Sequence, residues 1–147
     1  MGGVVNIVVG TDGSDHSIAA VKRAIEFAQA WGGELHVVHV LHIPSSLLGA
    51  LSQVPADLAS LEVSQRRTVW EAVEPMLHDT VSDVHRVDLD GYPADAIVEY
   101  AKNVGADLIV VGSRGRGEFA ALVLGSTSHR IVHLSSCDVL VVKGPCE

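Results

Sequence analysis

Aromatic side chains are scarce in this 147-residue sequence: two each of Trp, Tyr and Phe make up 4% of a chain that is 48% hydrophobic. The apolar content is therefore mostly Val, Leu, Ile and Ala, the composition of strands buried on both faces and covered by helices. Cysteine is nearly absent. Cys137 and Cys146 lie near the C-terminus and form no CxxC pair, so they support neither a disulfide framework nor a zinc site, and both are read as reduced and structural. Positive charge is in deficit, with 10 Lys and Arg against 18 Asp and Glu and a formal charge of -8. That balance opposes a general attraction to nucleic acid or an anionic membrane, so a polyanion would need a local basic patch. No apolar run reaches the roughly 18 residues of a membrane helix, and Met1 to Gly10 lacks the basic start and cleavage pattern of a secretory signal. The expectation is a soluble, cytoplasmic protein with one folded domain spanning residues 1–147. Disorder is excluded by the apolar content.

What is present alternates between strand and helix signals. Val4-Val5-Asn6-Ile7-Val8-Val9 is a strand ending at Gly10, followed by the loop Thr11-Asp12-Gly13-Ser14-Asp15. From a cap at Ser14 or Asp15, Ile18, Val21, Ile25 and Ala28 recur at helical spacing until Gly32-Gly33. Leu35 to Leu41 is a second strand. Residues 43 to 57 form a Pro-bounded connection carrying Leu47, Leu48 and Leu51, a candidate lid. Asp57 to His78 predicts a second helix that Pro75 should kink or end early. Val84, Val87 and Leu89 mark a third strand, and Pro93 suits the first turn of a third helix that ends at Gly105. Asp107 to Val111 is a fourth strand, Gly112 to Gly125 a glycine-rich loop, Ser126 to Leu134 a short helix, and Val139 to Val142 a fifth strand. Strands separated by single helices imply parallel pairing and an open, doubly wound α/β sheet. Ligands bind such sheets beyond the C-terminal ends of the strands, where strand order reverses, which points to the loops after the first and fourth strands.

The loop after the fourth strand carries Gly112, Gly115 and Gly125-Ser126 in the spacing G-x2-G-x9-G-S. Glycines let backbone N–H groups approach phosphate oxygens closely, and Gly125 leads into a helix whose first amides are unpaired and partly positive. Ser126, Thr127 and Ser128 add hydroxyls, while Arg114 and Arg116 supply the local basic patch. A di- or triphosphate fits this equipment. The competing reading is a flexible connection whose glycines only permit a turn. Neither G-x4-G-K-S/T nor a GxGxxG after the first strand occurs, so the loop is neither a P-loop nor a dinucleotide fingerprint.

These residues resemble the universal stress protein family, and specifically its ATP-binding branch, over essentially the whole chain. The resemblance rests on Val8-Val9-Gly10-Thr11-Asp12-Gly13-Ser14, on His39-Val40, on the run from Ala106 to Gly115, on Leu124-Gly125-Ser126 and on the run from Val139 to Lys143. It implies a Rossmann-like five-stranded sheet in the order 3-2-1-4-5 with helices on both faces. It also implies that Asp12 and Val40 flank adenine and ribose, that Gly112 and Gly115 line ribose and phosphates, and that Gly125, Ser126, Thr127 and Ser128 hold the phosphate tail. With the loop residues Gly10, Thr11 and Arg114, these form the candidate nucleotide site. The implied ligand is ATP, with AMP and cyclic AMP not separated from it by the sequence, and Mg2+ would accompany a triphosphate with Asp12 as its candidate carboxylate. A homodimer joined through Val139, Leu140, Val141 and Val142 is implied as well. Symmetric pairing there would remove the exposed edge that an apolar marginal strand presents.

Other clusters are weaker. Asp12 could equally be a turn or helix-capping aspartate. His36, His39 and His42 look like a metal run, but in a strand His39 faces away from the other two. His129 and His133 share a helix face without a third ligand. Only Asp12, Arg114 and Arg116 could serve chemistry near the glycine loop, and none is an obvious base. The expected function is a nucleotide-dependent signalling or stress-adaptation module with an unidentified protein partner. The alternatives are a slow ATPase and a dimeric interaction protein that binds no nucleotide.

Overall fold

The computed structural model describes residues 5–42, 49, 55–78, 83–114 and 124–144. The β-branched run after Val5 forms β1 (Asn6–Gly10), whose Ile7, Val8 and Val9 are fully buried. Ser14 caps α1 (Asp15–Trp31), its hydroxyl accepting from the Ser17 N–H at 3.3 Å, and Gly32 ends the helix in the left-handed conformation at φ 66°. β2 (Glu34–Leu41) is buried along nearly its whole length. α2 (Pro55–Leu77) starts two residues earlier than its apolar spacing predicts and runs through Pro75. The proline lies in the last turn, with only Met76 and Leu77 after it in the helix, so at most one helical hydrogen bond is lost and the expected early end does not occur. β3 (Val84–Asp90), α3 (Pro93–Val104), β4 (Leu108–Gly112), α4 (Ser126–Leu134) and β5 (Asp138–Val142) complete the chain order. α3 has proline at its first position and a left-handed Gly105 after its last.

All strand pairings are parallel, in the order β3-β2-β1-β4-β5. Each strand of the buried centre sends alternate side chains to two cores. Ile7, Val9, Leu35, Val37 and Val110 pack with α1 and with Val73 and Leu77 of α2. Val8, Val38, Val40, Ile109 and Val111 pack with Ala94, Ile97 and Ala101 of α3 and Ile131 of α4. Burial of each large aliphatic side chain contributes about 1.5–3 kcal/mol, which explains why the sheet is nearly free of aromatics without being weak. The edge strand β3 instead alternates half-buried with exposed polar residues, and Arg86 grips Glu74 of α2 through Nε–H bonds of 2.8 and 2.9 Å. Charged edges of this kind resist strand addition. Among the described residues, no helix is long and apolar enough to cross a membrane. The Leu-rich connection with Leu47, Leu48 and Leu51, the loop positions Gly115 and Arg116, and Cys146 lie outside the described residues.

Candidate functional site

β1 lies between β2 and β4: the chain runs outward from β1 through β2 and β3 and then crosses back to β4, so strand order reverses beside β1. Loops leaving the C-terminal ends of β1 and β4 diverge there. A cavity of about 110 Å³ opens in that crevice, lined by Gly10, Thr11, Asp12, Val40, Gly112, Arg114, Gly125, Thr127 and Ser128 from the sequence-predicted set. A second cavity of about 430 Å³ shares Asp12, Val40, Pro93 and Thr127 with it and continues toward Ser64 and Thr68 of α2. Ser126 is exposed and lines neither cavity, and Gly115 lies outside the described residues.

The polar rim is built by local hydrogen bonding. Thr11 N–H donates to the Val38 carbonyl at 2.9 Å, which carries the chain away from β1 alongside β2. Its hydroxyl lies 3.0 Å from the Ser17 hydroxyl, and Ser17 Oγ accepts from the Asp12 N–H at 3.3 Å. Asp12 Oδ1 accepts from the Ser14 N–H at 2.9 Å, so the turn role weighed from sequence is made, while Asp12 also lines both cavities. On the other side, Gly125 N–H donates to the Ser113 carbonyl at 2.6 Å. Ser128 Oγ lies 3.1 Å from the carbonyls of both Ser113 and Gly125. The Ser128 hydroxyl thus ties the two ends of the glycine loop together, and its one proton goes to a carbonyl rather than to the cavity.

Two helix N-termini face this region and differ in electrostatic state. Ser14 caps α1, whereas the cap of α4 is Gly125, which has no side chain to satisfy the first amides. The positive end of the α4 dipole, with no N-cap side chain over it, thus lies on the side of the crevice where Arg114 and Thr127 also lie. The floor is apolar, formed by Val38, Val40, Ile97 and Val111. The crevice thus sets an apolar floor beside the N-terminus of α4 and Arg114.

Two glycines of the motif are explained by packing as well as by the crevice. A Cβ on Gly112 would stand 2.8 Å from the backbone carbon and oxygen of His16. A Cβ on Gly10 would stand 2.7 Å from Ile97 Cδ1. Both are needed for strand ends to pass close to α1 and α3, a cause that spacing alone does not reveal. Ser17, Val38, Pro93, Ile97 and Val111 line the cavity without having been singled out from sequence. The helix-facing register of Val38 and Val111 was readable from strand alternation, but Ser17 and Ile97 look like ordinary helix positions until the fold brings them here.

His39, on the wall of the larger cavity, is only 5% exposed. Burial holds its pKa below the ordinary value of 6.5; a contact of 3.4 Å to Asp88 Oδ1 pulls it back up, and the charge of Arg66 pushes it further down. Its face is opposite that of His36, whose Nδ1 meets the Tyr100 hydroxyl on α3, so the two histidines of β2 do not converge, as alternation required.

The profile of the universal stress protein family matches residues 4–143. A universal stress protein of Methanocaldococcus jannaschii is 35% identical over 140 residues, covering 95% of this chain and 82% of that one. Bacillus subtilis universal stress protein YxiE is 33% identical over 144 residues, covering 93% and 97%. A universal stress protein solved in complex with cAMP superposes with a TM-score of 0.62 at 31% identity over 95% of this chain and 97% of that one. On its sequence, its strand order and these likenesses, the chain belongs to the universal stress protein family.

Proposed function

We propose that the crevice between the C-terminal ends of β1 and β4 binds an adenine nucleotide, ATP being the ligand that uses all of it. The chain would then act as a nucleotide-dependent signalling module. The observation that carries this reading is the convergence, in one cavity, of an apolar floor with the uncapped N-terminus of α4 and Arg114. The base and ribose would lie between Val40 and Asp12, with Gly112 behind the ribose and the phosphates running toward Gly125, Ser126 and Thr127. A related chain solved with cAMP supports an adenine ligand. Mg2+ would join a triphosphate at Asp12, the only carboxylate among the described residues lining the two cavities.

The dimer belongs to the same reading. β5 is an outer strand of the sheet, and Val139, Leu140 and Val141 keep part of their apolar surface exposed. Pairing with the β5 of a second copy would cover that surface and its unpaired backbone groups.

Denaturing freshly purified protein and running the supernatant on an anion-exchange column tests the ligand directly. Adenine nucleotide near one per chain is expected, and titration of stripped protein should rank ATP ahead of AMP and cAMP. Absence of binding in both measurements refutes the proposal.

A further inference from the structure

The far end of the sheet carries a second cluster. Glu34 opens β2 and His36 follows two residues later, so their side chains leave the same face of the strand. His85 on β3 is the register partner of His36, and Asp83 precedes it by two residues. His85 Nε2 lies 3.7 Å from Glu34 Oε2 and 3.3 Å from Asp83 Oδ1, and His36 Nε2 also lies 3.7 Å from Glu34 Oε2. One donor atom each from Glu34, His36 and His85 falls within 4.8 Å of the other two. We propose that Glu34, His36 and His85 form a binding site for a divalent transition-metal ion of the zinc class, distinct from the nucleotide crevice.

Three observations argue for a ligand here. His36 is 5% exposed, and its Nε2 is buried without a hydrogen-bond partner, since 3.7 Å to Glu34 is too long for one. A buried acceptor left unpaired is unfavourable, and a metal ion in contact with it removes the deficit. The opposite ring nitrogen is already supported: His36 Nδ1 lies 2.8 Å from the Tyr100 hydroxyl. Coordination through Nε2 makes Nδ1–H the donor in that contact, the outer-shell arrangement that orients a ligating imidazole. Finally, two imidazoles and a carboxylate match zinc and its neighbours, whereas magnesium and calcium require oxygen donors.

The rings of His36 and His85 stack at 4.4 Å with planes 10° apart. A metal lies in the plane of each ring that binds it, so parallel rings cannot share one ion. His85 must turn out of the stack, and on the edge strand with its side chain 45% exposed it has room to do so. Asp83 or water would take the fourth position. His36 is about 13 Å along β2 from Val40, at about 3.3 Å per residue, so the site is separate from any magnesium held with a nucleotide. Its consequence is structural: the ion would fasten β3, an edge strand, to β2.

The test uses the untagged full chain, freed of metal by a chelator and titrated with zinc chloride against a chromophoric competitor. One zinc per chain is expected, with no competition from magnesium. Glu34→Gln and His85→Ala, both at partly exposed positions, should each weaken binding at least as much as loss of an outer-shell partner does, about 10–100-fold. Substituting Co2+ should give the visible bands of a tetrahedral site in the native chain and not in His85→Ala. The paired rings of His129 and His133, 4.7 Å apart on α4, are the control. Unchanged zinc affinity in both Glu34→Gln and His85→Ala, binding abolished by replacing His129 and His133 instead, or no binding by the native chain overturns the proposal.

Discussion

Ser128 Oγ reaches the carbonyl of Ser113 at 3.1 Å across 15 residues of chain, joining the first turn of α4 to the end of β4. This contact fixes where the helix dipole points. In Ser128→Ala the Ser113 carbonyl keeps the Gly125 N–H, so no buried acceptor is left wholly unpaired. The expected loss is about 0.5–1.5 kcal/mol in urea unfolding, together with weaker nucleotide binding as α4 loosens.

The motif glycines separate by cause. Gly112→Ala pushes a methyl group against the backbone of His16, which cannot move aside, and should cost about 1–3 kcal/mol. Gly10→Ala meets only the tip of Ile97, so Gly10→Ala combined with Ile97→Val should recover much of the stability lost by the single variant. Thermal melts of the three variants check both expectations. Gly115→Val is expected to behave differently, abolishing ATP binding with its melting midpoint kept. Native affinity in that variant would remove Gly115 from the phosphate site.

That separation shows what the sequence makes legible. β1 and β4 are continuous apolar runs closed by glycine, and their parallel pairing follows from the helices between them, so the crevice could be placed from the chain alone. The cap at Ser14 and the stops at Gly32 and Gly105 were equally readable, because capping is local chemistry. The reason for Gly112 was not, since it depends on a helix nearly a hundred residues earlier in the chain. The partner of His36 was hidden for the same reason: its neighbour is His85, 49 residues away and adjacent only through strand register. Ser128 was read as a phosphate hydroxyl, and only the fold shows that its proton is turned to a carbonyl.

His39 makes stability depend on pH. Its folded pKa is depressed, so below the unfolded value near 6.5 the unfolded chain binds more protons than the folded one. Stability is then fully present above that pH and falls as the solution is acidified toward the folded pKa. His36 is depressed by burial and by His85, and adds a change of the same sign. Urea midpoints measured in chelator between pH 7.5 and 5 should fall steadily, and His39→Gln should flatten the dependence. An unaltered slope in that variant would show that His39 does not carry it.

The direction of backbone groups in β5 gives the test of the dimer. The Val142 carbonyl accepts from the Ser113 N–H at 2.8 Å, so Val142 turns its backbone toward β4. Because successive residues of a strand face opposite edges, the N–H of Val141 points away from β4, to the open side. Val141→Pro removes that donor without removing one from the β4 ladder, a setting in which a strand tolerates proline. The variant should keep the far-ultraviolet circular dichroism of the native chain and sediment as a monomer where the native chain sediments as a dimer. A folded Val141→Pro that still dimerises with native affinity would place the interface on a different surface.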